Sequence, residues 1–226
     1  MSSRGLRVLS GFLAAVALVL AVALGAAYVM RGPSPGLMAS QPKQDTFAEP
    51  GSVPIGGQFS LVDHTGKTVT NDDFAGKLRL VFFGFTNCPD ICPTTLAEIA
   101  RTIELLKDDA DAVAYLFVSL DPDRDTPEVM AEYVKAFDRR ITGLTGTVDQ
   151  VDAMAGTYRV AYEKVGMDGE AYQGSGDYLV SHQGNTYLMS RSGDYLTHFS
   201  YGTAPEEMAE TIREAIARFG GAGGET

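Results

Sequence analysis

The sequence predicts an α/β sandwich with a mixed β-sheet. Two observations lead to this prediction. Apolar and aromatic runs typical of buried strands alternate with segments whose apolar residues recur at helical spacing. A hairpin pattern at the start of the domain and another near its end add antiparallel strands to those that the helices connect.

Each predicted element depends on a local pattern. Two short alternating runs flank the turn 64–66 and predict the first hairpin. The run 78–85 is almost continuously apolar, as expected for a central strand covered on both faces. Pro127 suits the first turn of a helix. In chain order we expect strands at 58–63, 67–70 and 78–85, a helix at 94–106, a strand at 112–120, helices at 126–137 and 148–158, a strand at 159–165, a polar loop at 166–177, strands at 186–190 and 195–200, and a helix at 205–219.

An uncharged apolar run at 8–30 follows Arg4 and Arg7. Its 23 residues are enough to cross a bilayer as a helix, and the preceding arginines favour a cytoplasmic N-terminus. We expect an uncleaved single-pass anchor; the alternative is a signal peptide cleaved near 25–27. The predicted organisation is a cytoplasmic N-terminus at 1–7, a transmembrane signal-anchor at 8–30, a linker at 31–50, one domain at 51–219 and a disordered tail at 220–226.

The net charge of the chain indicates which partners to expect, and the N-terminal sequence indicates the cellular location. The formal net charge is −11 at pH 7, which argues against binding nucleic acid through charge. The short N-terminus lacks an Arg- and Ser-rich transit peptide. We therefore expect a bacterial inner-membrane protein whose C-terminal domain faces the periplasm.

The only two cysteines, Cys88 and Cys92, follow the predicted strand at 78–85 and precede Pro93, which is expected to open a helix. Loops in this position often carry the sites of α/β proteins. The helix N-terminus is expected to stabilise a thiolate on Cys92 and so lower its pKa. The pair suits either dithiol–disulfide exchange or a soft metal such as Cu(I), whereas a structural zinc ion would need four ligands.

The three histidines differ in their settings. His64 lies in a hairpin turn and is expected to be solvated, and His198 is expected to be a strand or surface residue. His182 follows a polar loop, at a position that would face the cysteine loop in a thioredoxin-like sandwich. Because such a histidine is more often a structural residue than a ligand, the residues alone leave redox and metal chemistry open.

Three motifs in order resemble the Sco/SenC family of membrane-anchored, thioredoxin-like copper chaperones for cytochrome c oxidase. They are FGFTNCPDICP at 83–93, SLDPDRDTP at 119–127 and the isolated His182. The resemblance extends from about Phe59 to Phe219. It implies a three-layer thioredoxin-like sandwich with an added N-terminal hairpin.

The resemblance also implies a site and partners. Cys88, Cys92 and His182 would bind one copper ion per domain, as Cu(I) or Cu(II). The copper would go to the CuA site of cytochrome c oxidase subunit II, whose cysteines the dithiol would also reduce. A copper donor and a thiol reductant would be further partners. Ser181 stands where the family often has an aspartate, so the usual carboxylate that orients a ligand histidine is absent there.

We therefore expect a copper-binding assembly factor rather than a turnover enzyme. The alternative is a thiol–disulfide oxidoreductase that uses Cys88 and Cys92 without metal, and a third possibility is a redox or copper sensor. The segment 119–127 is expected to be a structural loop beside the site, with Asp125 or Thr126 capping the following helix.

Overall fold

The structure, a computed structural model, describes residues 46–174 and 177–219. This part of the chain contains nine strands and four α-helices. The strands are β1 (Ser60–Asp63), β2 (Thr68–Thr70), β3 (Leu78–Gly84), β4 (Val113–Ser119), β5 (Ile141–Thr145), β6 (Tyr162–Gly166), β7 (Tyr178–His182), β8 (Thr186–Met189) and β9 (Tyr195–Phe199). The helices are α1 (Ile91–Leu106), α2 (Pro127–Lys135), α3 (Val148–Thr157) and α4 (Pro205–Phe219).

Seven of these strands form one mixed sheet in the order β2-β1-β5-β4-β3-β8-β9, and β6 pairs with β7 separately. Strand β3 is parallel to β4 and antiparallel to β8. All seven residues of β3 are buried, because a strand at the centre of the sheet is covered on both faces. The predicted mixed sheet is confirmed.

Alternating side chains of β3 contact different layers. Phe82 stacks on Phe117 of β4 with ring centroids 5.9 Å apart, and the ring of Tyr133 on α2 lies 5.7 Å from that of Phe117. On the other face, Phe83 packs 5.1 Å from Tyr158, the residue that follows α3. Helix α4 packs against α1. Helices on both faces of the sheet therefore give the three-layer sandwich that was predicted.

The predicted elements agree with the structure except at two strands that were not predicted, one helix start, and the start of β6, which begins at Tyr162 rather than at Arg159. The hairpins β1–β2 and β8–β9 and the helix α4 form where they were expected. Strands β5 and β7 were not predicted. Helix α1 begins at Ile91 rather than at Thr94, so Cys92 lies inside its first turn.

None of the helices in residues 46–174 and 177–219 is long and apolar enough to cross a membrane. The predicted span at 8–30, most of the predicted linker and the predicted tail at 220–226 lie outside the described residues.

His64 joins β1 to β5. Its half-buried imidazole accepts the backbone N–H of Gly143 at Nδ1, at 3.1 Å, and the backbone N–H of His64 donates to the Gly143 carbonyl at 2.8 Å. His64 is the turn residue that was predicted, but it is half-buried rather than fully solvated, because the turn after β1 contacts the neighbouring strand β5. His198 is exposed, as predicted, and bonds to the Tyr195 hydroxyl at 2.6 Å.

Replacing His64 with alanine should destabilise the fold by about 1–3 kcal/mol, because the Gly143 N–H loses its acceptor. Urea unfolding of the metal-free protein measures this change. The matched control is His198→Ala, which should change the free energy of unfolding by less than about 0.5 kcal/mol. Equal effects of the two substitutions would contradict this role for His64.

Candidate metal centre

The cysteine loop connects the end of β3 to the first turn of α1. Asp90 occupies the N-cap position without a side-chain capping bond. Cys88 is half-buried and Cys92 is buried, and both are free thiols. The backbone N–H of Cys92 points at the Cys88 sulfur, 3.5 Å away. The strand-to-helix connection therefore brings both thiols to one end of the sheet.

Burial raises the pKa of the Cys92 thiol well above its ordinary value. The backbone N–H of Phe85 favours the thiolate, but the loss of water contact is the larger effect and negative charge on Cys88 adds to it. The prediction that the helix N-terminus lowers this pKa was wrong. Cys92 is therefore a neutral thiol at neutral pH when no metal is bound.

Gly84 makes room for the buried sulfur. A Cβ atom at this position would lie 2.8 Å from Cys92 Sγ and 2.9 Å from Phe117 Cε2, closer than carbon contacts allow. The sulfur thus rests on the sheet backbone beside the Phe117 ring. This packing explains why Cys92 is dehydrated although it lies in a helix's first turn.

His182 ends β7 and faces the cysteine loop, as the sequence predicted. Its Nε2 lies 3.9 Å from Cys92 Sγ. Its Nδ1 lies 2.9 Å from the carbonyl of Gln183; since a carbonyl only accepts, Nδ1 carries the proton and Nε2 has the free lone pair. Burial lowers the pKa of His182, which favours the neutral, metal-ligating form. A backbone carbonyl thus orients the ring, while Ser181 at the usual aspartate position is exposed.

Cys92 and His182 are close to metal-ligand spacing. Metal bonds of ~2.3 Å to sulfur and ~2.1 Å to nitrogen, as in zinc sites, are long enough for one ion to bind both atoms across the observed 3.9 Å. Among the described residues, however, no three His, Cys, Asp or Glu side chains already form a metal-binding group. Cys88, whose sulfur lies 3.5 Å from the Cys92 backbone nitrogen, would complete a soft set of two sulfurs and one nitrogen.

A cleft of about 420 Å³ opens beside the His182 imidazole. Its lining comes from the facing ends of β6 and β7: Ala161, Tyr162, Glu163, Ser181, His182 and Gln183. The histidine side of the site is therefore reached from solvent, whereas the Cys92 side is closed by the sheet.

Asp125 fixes the start of the cysteine loop. Its buried carboxylate accepts the Thr86 N–H at 3.1 Å, the Thr86 hydroxyl at 2.5 Å and the Ser119 hydroxyl at 2.6 Å. Burial raises the pKa of Asp125, and the bonds from Ser119 and Thr86 oppose this shift. Asp125 is thus not a helix cap; the side chain of Thr126 caps α2 instead.

Asp121 and Arg124 fix the histidine strand. The buried Asp121 carboxylate accepts Arg124 Nε at 2.5 Å and the Tyr178 hydroxyl at 2.6 Å. Arg124 donates to the Tyr178 carbonyl at 3.1 Å, and its guanidinium lies 3.7 Å from the Tyr178 ring centroid. Since Tyr178 begins β7, these contacts hold the strand that ends at His182.

Comparison with known proteins agrees with this geometry. The SCO1/SenC family model matches residues 48–217. The chain belongs to the SCO1/SenC family. It is similar to the SCO2-like protein of Rickettsia felis (37% identity over 162 residues, 72% of this chain and 77% of that one) and to the mitochondrial SCO1 homolog of Homo sapiens (38% over 164 residues, 70% and 52%). The structure of Bradyrhizobium japonicum ScoI with copper bound is similar with a TM-score of 0.64 and 40% identity, covering 71% of this chain and 98% of that chain.

Membership of the SCO1/SenC family confirms the resemblance proposed from the three motifs. The sequence had also indicated that the segment 119–127 is a structural loop beside the site. The sequence did not reveal that two carboxylates of this segment position the site. Asp125 holds the cysteine loop, and Asp121 holds the strand that ends at His182. The available signal was a run of three aspartates, Asp121, Asp123 and Asp125, after a buried strand, where a buried carboxylate needs partners.

Replacing Arg124 with alanine should destabilise the protein by about 3 kcal/mol, because Asp121 is left buried without its cation. Amides of Tyr178–His182 should then exchange hydrogen faster in native conditions. The control is Lys135→Ala, which removes the exposed pair with Glu132 and should cost less than about 1 kcal/mol. Unchanged exchange in β7 of Arg124→Ala would show that Arg124 does not hold the histidine strand.

Proposed function

We propose that this chain is a membrane-anchored copper chaperone that binds one copper ion through Cys88, Cys92 and His182. It passes the ion to the CuA site of cytochrome c oxidase subunit II and reduces that site's cysteines. The anchor is the apolar run at 8–30, with the domain in the bacterial periplasm. The observation that carries the proposal is the 3.9 Å approach of Cys92 Sγ to His182 Nε2 beside a second thiol.

The donor set supports copper as the cargo. Two thiols with one neutral imidazole are soft ligands, and soft sulfur ligands favour Cu(I). Similar proteins from Bradyrhizobium japonicum and Arabidopsis thaliana are described with copper bound. Three ligands leave space on the ion, so a partner's sulfur can enter before one of these ligands leaves.

The chain's own residues set the order of binding and release. Cys92 must lose its proton when copper arrives, because its thiol is neutral in the metal-free site. His182 already presents its free Nε2 towards the sulfur. The cleft beside His182 is where we expect a partner's thiol to approach. Cys92, covered by the sheet, would be the last ligand to leave.

The alternative function is a thiol–disulfide oxidoreductase that uses Cys88 and Cys92 without metal. The free dithiol at a helix start favours it. This function needs neither the neutral imidazole nor its approach to Cys92. Copper affinity of a histidine variant therefore distinguishes the two proposals.

Full-length protein, reduced and without oxygen, should bind one Cu(I) in competition with a chelator. His182→Ala should weaken binding by more than about tenfold, since disturbing even the groups that orient a metal ligand costs ~10–100-fold. Cys88→Ser and Cys92→Ser should weaken it further, because a hydroxyl is a poor ligand for Cu(I).

The matched control is His198→Ala, which removes an exposed histidine and should leave the affinity unchanged. If wild type and His182→Ala bind copper equally, or wild type does not bind it, the chaperone mechanism is contradicted. The metal-free oxidoreductase would then be the better account.

Copper affinity should rise with pH. Because burial raises the pKa of Cys92, copper displaces at least one proton near neutral pH. The apparent affinity should then increase at least about tenfold per pH unit between about pH 6.5 and about pH 8.5. Chelator competition at several pH values measures the slope. A flat profile would contradict a neutral Cys92 thiol in the metal-free site.

A further inference from the structure

A shallow groove of about 540 Å³ runs along α1 from the cysteine loop. We call it the α1 groove, and its lining residues are Pro93, Thr94, Ala97, Glu98 and Arg101 of α1 and Pro205, the first residue of α4. Thr94, Ala97 and Arg101 are exposed. Pro93 directly follows Cys92. The groove therefore begins at the metal centre and is open to solvent.

The walls of the α1 groove are held in place by the packing of α4 against α1. The Thr102 hydroxyl donates to the Glu98 carbonyl at 2.8 Å and lies 3.5 Å from the Pro205 carbonyl. A turn in which the Thr203 N–H donates to the Ser200 carbonyl at 3.1 Å precedes α4. A surface that is ordered before a partner binds loses less conformational entropy when the partner docks.

An exposed tyrosine lies beside the metal centre, in the connection that leads from β9 to α4. The Tyr201 side chain is 48% exposed. A Cβ atom on Gly184, two residues after His182, would lie 3.5 Å from Tyr201 Cβ and 3.4 Å from Ile91 Cγ2. Tyr201 therefore packs against the segment after the histidine and beside the first turn of α1. Tyrosine is enriched among the residues that contribute most to binding at protein interfaces.

Glu98 brings a carboxylate without a counter-charge to the groove. Its side chain is half-buried, and burial raises the pKa of Glu98 with no opposing effect from any cation of the described residues. Arg101, one turn further along α1, pairs with Glu104 at 2.8 Å instead. A carboxylate that is partly removed from water is stabilised by a cation that comes close to it. The groove is therefore suited to a partner that presents lysine or arginine.

We propose that the α1 groove and Tyr201 form the docking surface for the copper acceptor, which fills the groove with an apolar side chain and pairs a lysine or arginine with Glu98. This inference rests on the proposed function, in which the acceptor is the CuA-bearing domain of cytochrome c oxidase subunit II. An apolar centre with a charged rim is the usual composition of a protein interface. Because the groove begins at Pro93, an acceptor seated on it lies next to the cysteine loop.

The test is Glu98→Gln, which keeps the shape of the side chain and removes its charge. Full-length protein loaded with Cu(I) is mixed with increasing amounts of the soluble domain of subunit II, reduced and without copper, and the rate of copper transfer is followed. The half-saturating acceptor concentration should rise about tenfold, because a partly buried ion pair is lost. The limiting transfer rate and the Cu(I) affinity should not change, because Glu98 is not a ligand. Added salt should weaken docking of wild type more than docking of the variant.

Two further variants test the apolar part of the surface. Tyr201→Ala should raise the half-saturating acceptor concentration at least about fivefold, because it removes an aromatic anchor. Ala97→Leu should raise it by a similar factor, because the chain's own side chain then occupies the groove. Leucine is a good helix former, so α1 should stay folded in this variant. Neither substitution should change the Cu(I) affinity.

The matched control for Glu98→Gln is Glu132→Gln, which removes the same charge from an exposed carboxylate on α2. The control for Tyr201→Ala is Val148→Ala, at an exposed apolar side chain on α3. Both controls should transfer copper like wild type. An unchanged half-saturating concentration in Glu98→Gln would overturn the inference. So would an equal rise in Glu132→Gln, since that would reflect the net charge of the protein rather than the groove.

These outcomes are distinguishable from failure of the proposed function. If wild type binds one Cu(I) and transfers it, and Glu98→Gln does so at the same acceptor concentrations, only the docking surface is wrong. If wild type binds no Cu(I), the chaperone function itself fails. If wild type binds Cu(I) but transfers none to this domain, the acceptor in the proposed function is wrong, and the docking surface falls with it.

Discussion

Two buried carboxylates in one loop determine the geometry of the site. Asp121 and Asp125 both follow β4, and a buried carboxylate is tolerated only with strong partners. Asp125 takes its partners from Thr86 and Ser119, which fixes the approach to the cysteines. Asp121 accepts hydrogen bonds from Arg124 and Tyr178, and these contacts fix β7, the strand that ends at His182. The same loop therefore sets the distance between thiols and imidazole, although it supplies neither.

The charge states at the site suit a protein that must both hold and release a soft ion. Burial keeps the Cys92 thiol and the His182 imidazole neutral without metal, so no uncompensated charge lies beside the sheet. An arriving cation replaces protons, and its departure allows them to return. The half-buried Cys88 and the cleft beside His182 leave the ligand sphere open on the side that a partner would approach.

Much of the fold follows from strong local patterns, and the errors occur where a long-range contact decides. Strand β3, the hairpins and α4 were predictable from local patterns: an unbroken apolar run, a turn between two alternating segments, and apolar residues at helical spacing. Strand β5 was missed because ITGLT is short and contains a glycine; it forms between β1 and β4. The motifs identified the family. The pKa direction of Cys92 depended on contact with Gly84 and Phe117, which no local pattern reveals.

The most direct test of the account is copper X-ray absorption on the Cu(I)-loaded full-length protein, with His182→Ala beside it. We expect one copper bound by two sulfur atoms and one nitrogen atom in wild type, and loss of the nitrogen in the variant. This would show that the two cysteine sulfurs and the His182 imidazole bind the ion together. A shell of sulfur alone in wild type, or an unchanged shell in the variant, would contradict the site.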